Sequence, residues 1–130
     1  MSAEILDGLS LAREMRKSLA VRVQNLRAAG VAPRLDVIVA AQDPASVAYV
    51  KMKRHWCNLV DIEGDSYDIT ADTTQDELIS LILRLNSDSQ IHGVLLQHPL
   101  PKHLDEHEAL LTLGSEKDVD GITPRPWAGW

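Results

Sequence analysis

The chain has 130 residues, the size of one ordinary domain, and its 45% apolar and 25% charged content is typical of a soluble globular protein. Phenylalanine is absent, so the core must be aliphatic, which suits a parallel sheet flanked by helices. A net charge of −6 argues against nucleic-acid binding, and the apolar stretches are too short for a membrane span. The single cysteine, Cys57, cannot form an internal disulfide. We expect a cytoplasmic domain that binds neither nucleic acid nor membrane.

The first half of the chain predicts helix, strand and helix. Apolar residues recur at three- and four-residue steps over residues 8–29, which predicts an amphipathic helix that Gly30 ends. The apolar stripe consists of Leu11, Met15, Leu19, Val23 and Leu26. Residues 35–41 predict a short buried strand. Pro44 is suited to the first position of a second helix that extends to about Val60.

The second half continues the alternation. Residues 66–70 predict a weaker strand, and Thr74 and Glu77 have the spacing of a capping box ahead of a third helix. Residues 92–97 predict another buried strand, which prolines end, and residues 105–113 a short fourth helix.

Alternating strands and helices predict an α/β fold, a three-layer domain with a small, mostly parallel sheet flanked by helices. Ligands collect beyond the carboxyl ends of the strands in such sheets. This rule directs attention to residues 41–46 and 97–101, which leave two predicted strands.

Tyr49 and Lys53 lie four residues apart on the second predicted helix and therefore share a face. A lysine amine becomes a useful base near neutral pH where burial or positive neighbours favour its neutral form. Spacing alone favours a simpler interpretation, a core-edge aromatic and a solvated lysine. Short-chain dehydrogenases also use a Tyr-x-x-x-Lys pair, but their glycine-rich phosphate loop is missing here, since no Gly-x-Gly occurs.

Two further polar features lie near strand exits or turns. Gln97 follows a buried strand and could position an amine or a water, although a loop glutamine that satisfies backbone groups is the more common case. Asp118 and Asp120 lie in a polar turn, where a carboxylate could bind an amidine-like edge or simply cap the turn.

Metal and thiol chemistry rank below structural roles. The residues His98, His103 and His107 lie near Asp105, but prolines between the first two break any helical register. Exposed loop and helix histidines explain this group better than a metal site does. Cys57 is interpreted as buried filler, because no base partner can be assigned to it.

Three segments in order resemble signatures of the methylenetetrahydrofolate dehydrogenase/cyclohydrolase family. Residues 43–53 (Asp-Pro-Ala-Ser-Val-Ala-Tyr-Val-Lys-Met-Lys) resemble the first signature, and residues 93–101 the second, usually written with a Gln-Leu-Pro-Leu-Pro core. Residues 117–121 (Lys-Asp-Val-Asp-Gly) match a third, and residues 5–8 are similar to the family's N-terminus.

This resemblance implies specific roles. Lys53 would be the catalytic lysine of the cyclohydrolase step, with Tyr49 stacking on the folate, Gln97 holding Lys53 and Asp120 binding the pterin edge. Catalysis would therefore involve Lys53, Gln97, Tyr49 and Asp120. The substrate-binding set would be Tyr49, Val50, Lys51, Met52, Lys53, Leu96, Gln97, His98 and Asp120.

The sequence departs from the family pattern at several positions. His98 stands where leucine is usual, and Ala41 and Asp61 each stand where a glycine is usual. Residues 123–130 diverge, and we expect the family's NADP-binding Rossmann domain to be absent from residues 1–130.

Three hypotheses follow. The first is an enzyme domain capable of the cyclohydrolase step alone, which binds no cofactor or metal, NADP belonging to the complete family enzyme. The second is a non-catalytic folate-binding module, favoured by His98 and by the expected absence of the nucleotide-binding domain. The third is an interaction domain whose Trp127 and Trp130 dock a partner. The small-molecule substrate would be a tetrahydrofolate derivative, and a homodimer stays open.

Overall fold

A computed structural model describes residues 3–119 of the chain, and its side chains from residue 12 onwards. Helices and strands alternate as the sequence predicts, so the α/β prediction is confirmed. In chain order the elements are α1 (Ala3–Ala28), β1 (Leu35–Ala40), α2 (Pro44–Leu59), β2 (Ser66–Ile69), α3 (Gln75–Ser87), β3 (Gly93–Leu96) and α4 (Glu106–Leu113). Across the described residues, no helix combines the length and apolar character needed to cross a membrane.

Local signals determine most helix ends. Gly30 follows α1 with a φ of +88°, a conformation that glycine adopts without strain, and Pro44 is the first residue of α2. Both halves of the capping box form at α3, since Thr74 Oγ1 accepts from Glu77 N–H and Glu77 accepts from Thr74 N–H. Helix α1 begins earlier than predicted, at Ala3, because one internal glycine costs a helix only about 1 kcal/mol.

The three strands form one parallel sheet with β1 in the centre, in the order β2-β1-β3. Side chains alternate between its two faces. One face, with Ile38 and Leu96, joins the cluster formed by α3 and α4. The other, with Val37 and Leu95, packs against Val50 of α2. The three-layer prediction is therefore confirmed.

Helix α1 lies beside α2, where the Arg16 guanidinium carbon is 5.6 Å from the centre of the Trp56 ring. Of the predicted apolar stripe, Val23 is buried, whereas Met15, Leu19 and Leu26 are exposed. Met15 and Leu19 line a mostly apolar depression between α1 and α2, so this part of the stripe faces an open groove.

The two positions where the family usually has glycine behave differently. Asp61 keeps a left-handed conformation, with a φ of +67°, which aspartate tolerates better than most residues. Arg27 stabilises this turn, because its Nη2 donates to Asp61 O at 2.7 Å. Ala41 needs no such conformation, and its N–H donates to Ile69 O at 3.0 Å.

A fully buried carboxylate ties the start of β1 to β2. Asp36 Oδ1 accepts from Asp65 N–H at 3.1 Å and lies 3.0 Å from Arg34 Nε. Its Oδ2 accepts from the Tyr67 hydroxyl at 2.9 Å. Burial, this hydrogen bond and the neighbouring carboxylates raise the pKa of Tyr67 above its ordinary value of 10.0. The contribution of the protonated Tyr67 hydroxyl to the stability of the fold is therefore present at neutral pH, and it is lost as the pH rises through the raised pKa of Tyr67.

Replacing Tyr67 by phenylalanine should destabilise the fold, because Asp36 Oδ2 loses its hydroxyl donor inside the protein. We expect Tyr67→Phe to lower the free energy of unfolding by about 1–3 kcal/mol at pH 7, measured by urea denaturation. The control Tyr49→Phe, at an exposed position, should change it by less than about 0.5 kcal/mol. Equal losses in both variants would contradict a structural role for the Tyr67 hydroxyl.

Candidate active site

The candidate site begins where β1 leads into α2. Asp43 caps this helix, because its Oδ1 accepts from Ala45 N–H at 3.2 Å and its Oδ2 from the Ser46 hydroxyl at 2.9 Å. Ser46 is almost fully buried, and Val50, one turn further, packs against the sheet. These contacts fix the position of α2 on the sheet, and with it Tyr49 and Lys53.

Lys53, in the middle of α2, meets Gln97, the first residue after β3. Lys53 Nζ donates to Gln97 Oε1 at 3.0 Å, although the two residues are 44 positions apart. Gln97 is 8% exposed, and its own N–H donates to Ile38 O at 2.9 Å, which continues the ladder between β1 and β3. The sheet therefore holds Gln97 directly in front of the lysine.

The orientation of the Gln97 amide follows from its second contact. Gln97 Nε2 donates to His98 O at 3.2 Å, so that Oε1 is the atom that faces Lys53. An amide is uncharged and holds the amine by a hydrogen bond. A carboxylate at this place would add the attraction that favours an ammonium ion. This arrangement is suited to a lysine that exchanges protons.

Tyr49 lies one helical turn before Lys53, on the same side of α2, and is 55% exposed. Its ring is available to a ligand that approaches Lys53 from solvent. The neighbouring Lys51 and Met52 are also exposed. Within this segment, Tyr49 is the residue best placed to stack on a flat ring system.

Val50 and Leu96 have buried side chains that belong to the core, with 6% and 4% exposure. Any contact of these two residues with a ligand would come from their main-chain atoms. Their side chains instead hold the two site segments against the sheet.

The loop after β3 contacts the beginning of α4. Glu106 Oε1 accepts from Leu100 N–H at 2.8 Å, and its Oε2 pairs with His98 Nδ1. A cleft of about 200 Å³ lies between this loop and the exit of β1. Its lining consists of Ala40, Gln42, Asp43, Pro99, Leu100 and Pro101. The predicted strand-exit segments therefore border one depression.

Sequence reasoning missed Glu106, which belongs to the same loop assembly. Eight positions separate it from His98 with prolines between them, so no periodic pattern connects the two. Only the strand–loop–helix geometry brings the carboxylate back to the loop.

The other candidate residues have structural contacts. His103 Nε2–H donates to Thr73 O at 2.7 Å. Within the described residues, no three His, Cys, Asp or Glu side chains are grouped as metal ligands would be. Burial raises the pKa of the Cys57 thiol, which disfavours the nucleophilic thiolate.

The third motif runs beside β3. Val94 N–H donates to Lys117 O at 2.7 Å, and Val119 N–H donates to Val94 O at 3.3 Å, so that Asp118 pairs with Val94 as in a parallel ladder. Asp120, predicted to bind the pterin edge, lies outside the described residues.

Larger depressions lie away from the lysine. One of about 380 Å³ includes Arg34 and His92 near the amino ends of the strands. Another of about 410 Å³, mostly apolar, lies between α1 and α2 around Trp56. Neither contains Lys53 or Gln97, so size alone does not select the candidate site.

Comparison with known proteins gives consistent matches. The family model described as the tetrahydrofolate dehydrogenase/cyclohydrolase catalytic domain matches residues 6–120. The bifunctional protein FolD of Moorella thermoacetica is 44% identical over 124 residues, and that of Geotalea daltonii is 43% identical over 122 residues. These matches cover 95% and 94% of this chain, which in both cases spans 44% of the relative's length.

Solved structures agree. The bifunctional FolD methylenetetrahydrofolate dehydrogenase/cyclohydrolase of Campylobacter jejuni superposes with a TM-score of 0.86 at 39% identity, covering 92% of this chain and 42% of that one. The Trypanosoma brucei methylenetetrahydrofolate dehydrogenase-cyclohydrolase, solved with NADP and an inhibitor, superposes with a TM-score of 0.78 at 32% identity. That match covers 84% of this chain and 37% of the other.

The Asp43 cap predicts a stability effect at the helix that carries the site. We expect Asp43→Ala to lower the free energy of unfolding by about 1 kcal/mol, because α2 loses its cap, whereas Asp43→Asn should retain most of it. Urea denaturation measures both, with exposed Asp72→Ala as the control. If Asp43→Ala were as stable as the control, the cap would contribute nothing to the position of α2.

Proposed function

Because the chain belongs to the tetrahydrofolate dehydrogenase/cyclohydrolase family, we propose that residues 1–130 form a folate-binding domain that hydrolyses methenyltetrahydrofolate to formyltetrahydrofolate. The observation that carries the proposal is the hydrogen bond between Lys53 Nζ and Gln97 Oε1. It joins a potential acid/base group to a neutral partner at the carboxyl edge of the sheet, where α/β domains bind ligands.

The reaction needs one group that first accepts and then donates a proton. Water adds to the cationic methenyl carbon, and the Lys53 amine accepts a proton from that water as the carbon–oxygen bond forms. The resulting carbinol then loses its hydroxyl proton while the carbon–nitrogen bond to the ring breaks. Lys53 returns its proton to the departing nitrogen, and the carbinol proton leaves to solvent. General acid–base groups of this kind accelerate reactions by about 10²–10⁴-fold.

The remaining residues bind and orient. Gln97 would keep the amine at the reacting carbon, and exposed Tyr49 would stack on the folate from the adjacent turn of α2. Asp120 is proposed, on its motif alone, to bind the pterin edge through two parallel hydrogen bonds. Main-chain atoms of Val50 and Leu96 would line the same site.

These residues do not fit a nicotinamide dinucleotide. Pyrophosphate binds at helix N-termini whose N–H groups are free, usually behind a glycine-rich loop. Here Asp43 and Asp105 cap α2 and α4 with carboxylates, and a capping box closes α3. We therefore propose that this domain does not itself bind NADP, and that NADP binding in the complete enzyme belongs to a separate nucleotide-binding domain. We further propose a cytoplasmic location, which fits the free thiol of Cys57.

A second candidate function is a non-catalytic folate-binding module. His98 favours it, because an ionisable side chain, 71% exposed and paired with Glu106, stands beside the proposed site where the family usually has leucine.

Removing the lysine amine should abolish most catalysis. We expect Lys53→Met to lower the hydrolysis rate by about 10²–10⁴-fold, measured by the loss of methenyl absorbance above the spontaneous reaction. The control Lys17→Met changes an exposed lysine on α1 and should retain the wild-type rate. A wild-type rate equal to the spontaneous one would exclude cyclohydrolase activity and leave the binding module.

Folate affinity should depend on the exposed ring of Tyr49. We expect Tyr49→Ala to weaken tetrahydrofolate binding by about 3- to 10-fold in calorimetry, whereas Tyr49→Phe retains the stacking surface and binds normally. Unchanged affinity in Tyr49→Ala would remove Tyr49 from the site. If the wild-type protein did not bind tetrahydrofolate, both candidate functions would be contradicted.

A further inference from the structure

One carboxylate on α4 holds the loop that follows Gln97. Glu106 Oε1 accepts from the main-chain N–H of Leu100 at 2.8 Å, and Oε2 pairs with His98 Nδ1, which donates. The Glu106 side chain is 26% exposed. It therefore contacts the first and third residues after Gln97, one through a side chain and one through the backbone.

The effect of Glu106 on the loop reaches Lys53 through the main-chain carbonyl of His98. His98 O accepts from Gln97 Nε2, and this contact turns Gln97 Oε1 toward Lys53. If the His98 peptide moved, the amide could rotate by half a turn and present its NH₂ group to the amine. A donor would then face a donor, and the hydrogen bond to Lys53 would be lost.

Helix α4, which carries the Glu106 carboxylate, is held in place by packing, by its cap and by contacts with α3. Ala109 and Leu113 bury one side of α4, and Asp105 caps the helix by accepting from Glu108 N–H at 3.1 Å. The Gln75 amide forms two hydrogen bonds with the main chain of Asp105. Its Oε1 accepts from Asp105 N–H at 2.8 Å, and its Nε2 donates to Asp105 O at 3.1 Å. The first turn of α4 is thus tied to the start of α3.

We infer that Glu106 is a positioning residue, which sets the orientation of the Gln97 amide, and so of the Lys53 amine, by holding the His98–Leu100 loop. Its effect on rate rests on the proposed cyclohydrolase function, whereas its effect on the loop does not. The backbone contact carries most of the effect. The His98 contact is that of an exposed side chain, and exposed ion pairs contribute little.

Kinetics separate positioning from folding. Glu106→Met keeps the side-chain length and helix propensity but accepts no hydrogen bond, and Glu106→Gln keeps an acceptor for Leu100 N–H. We expect kcat to fall about 10-fold in Glu106→Met with KM within about twofold, and to recover in Glu106→Gln. The control Glu116→Met changes an exposed glutamate after α4 and should retain the wild-type constants. An unchanged kcat in folded Glu106→Met would overturn the inference.

Nuclear magnetic resonance tests the loop without turnover. The Leu100 amide proton and the Gln97 side-chain NH₂ signals should shift in Glu106→Met and stay near their wild-type positions in Glu106→Gln and Glu116→Met. Unmoved Gln97 signals in Glu106→Met would overturn the coupling. Should the wild type lack activity, the proposed function fails and these signals alone decide on Glu106.

Hydrogen exchange in the wild type covers the case in which Glu106→Met does not fold. The Leu100 N–H donates to the carboxylate, so we expect its exchange to be slowed at least about 10-fold relative to an unstructured amide. Exchange at the unstructured rate would show that Glu106 does not hold the loop.

Discussion

The parallel pairing of β1 with β3 is the constraint on which the site depends. Its register places Ile38 opposite Leu96, so β3 ends beside the exit of β1 and Gln97 continues the ladder by donating to Ile38 O. Helix α2 begins at that exit and returns across the sheet. Two residues 44 positions apart thereby come within a hydrogen bond, and a shift in register would move Gln97 away from Lys53.

Much of this architecture could be predicted because its signals are local. Pro44 and the Thr74–Glu77 capping box act within a few residues of themselves, and their effects are the same in almost any tertiary context. The expectation that Gln97 holds Lys53 has a different source, the resemblance of the ordered motifs to those of the family. Spacing alone favoured an ordinary solvated lysine, since sequence separation carries no information on which strand exits meet.

What could not be predicted depends on contacts between distant segments or on how closely neighbouring elements pack. The stripe of α1 has helical periodicity, yet Met15 and Leu19 remain exposed because they border an open groove between α1 and α2. Glu106 could not be predicted for a different reason. It carries no pattern, and its importance arises only where the loop after β3 returns to α4.

The same carboxyl edge shows how backbone electrostatics suit the proposed substrate. Helices α2, α3 and α4 each follow a strand in the chain, and the Gln75–Asp105 hydrogen bonds bring the start of α4 beside that of α3. Their positive dipole ends therefore gather at this edge, which would oppose a cationic methenyl carbon. Asp43 and Asp105 place carboxylates on two of these ends, and Glu77 closes the third. The edge is thereby made less favourable to phosphate and more tolerant of positive charge. In the proposed reaction the neutral amide partner of Lys53 adds no charge of its own, so proton transfer would not have to break an ion pair between them.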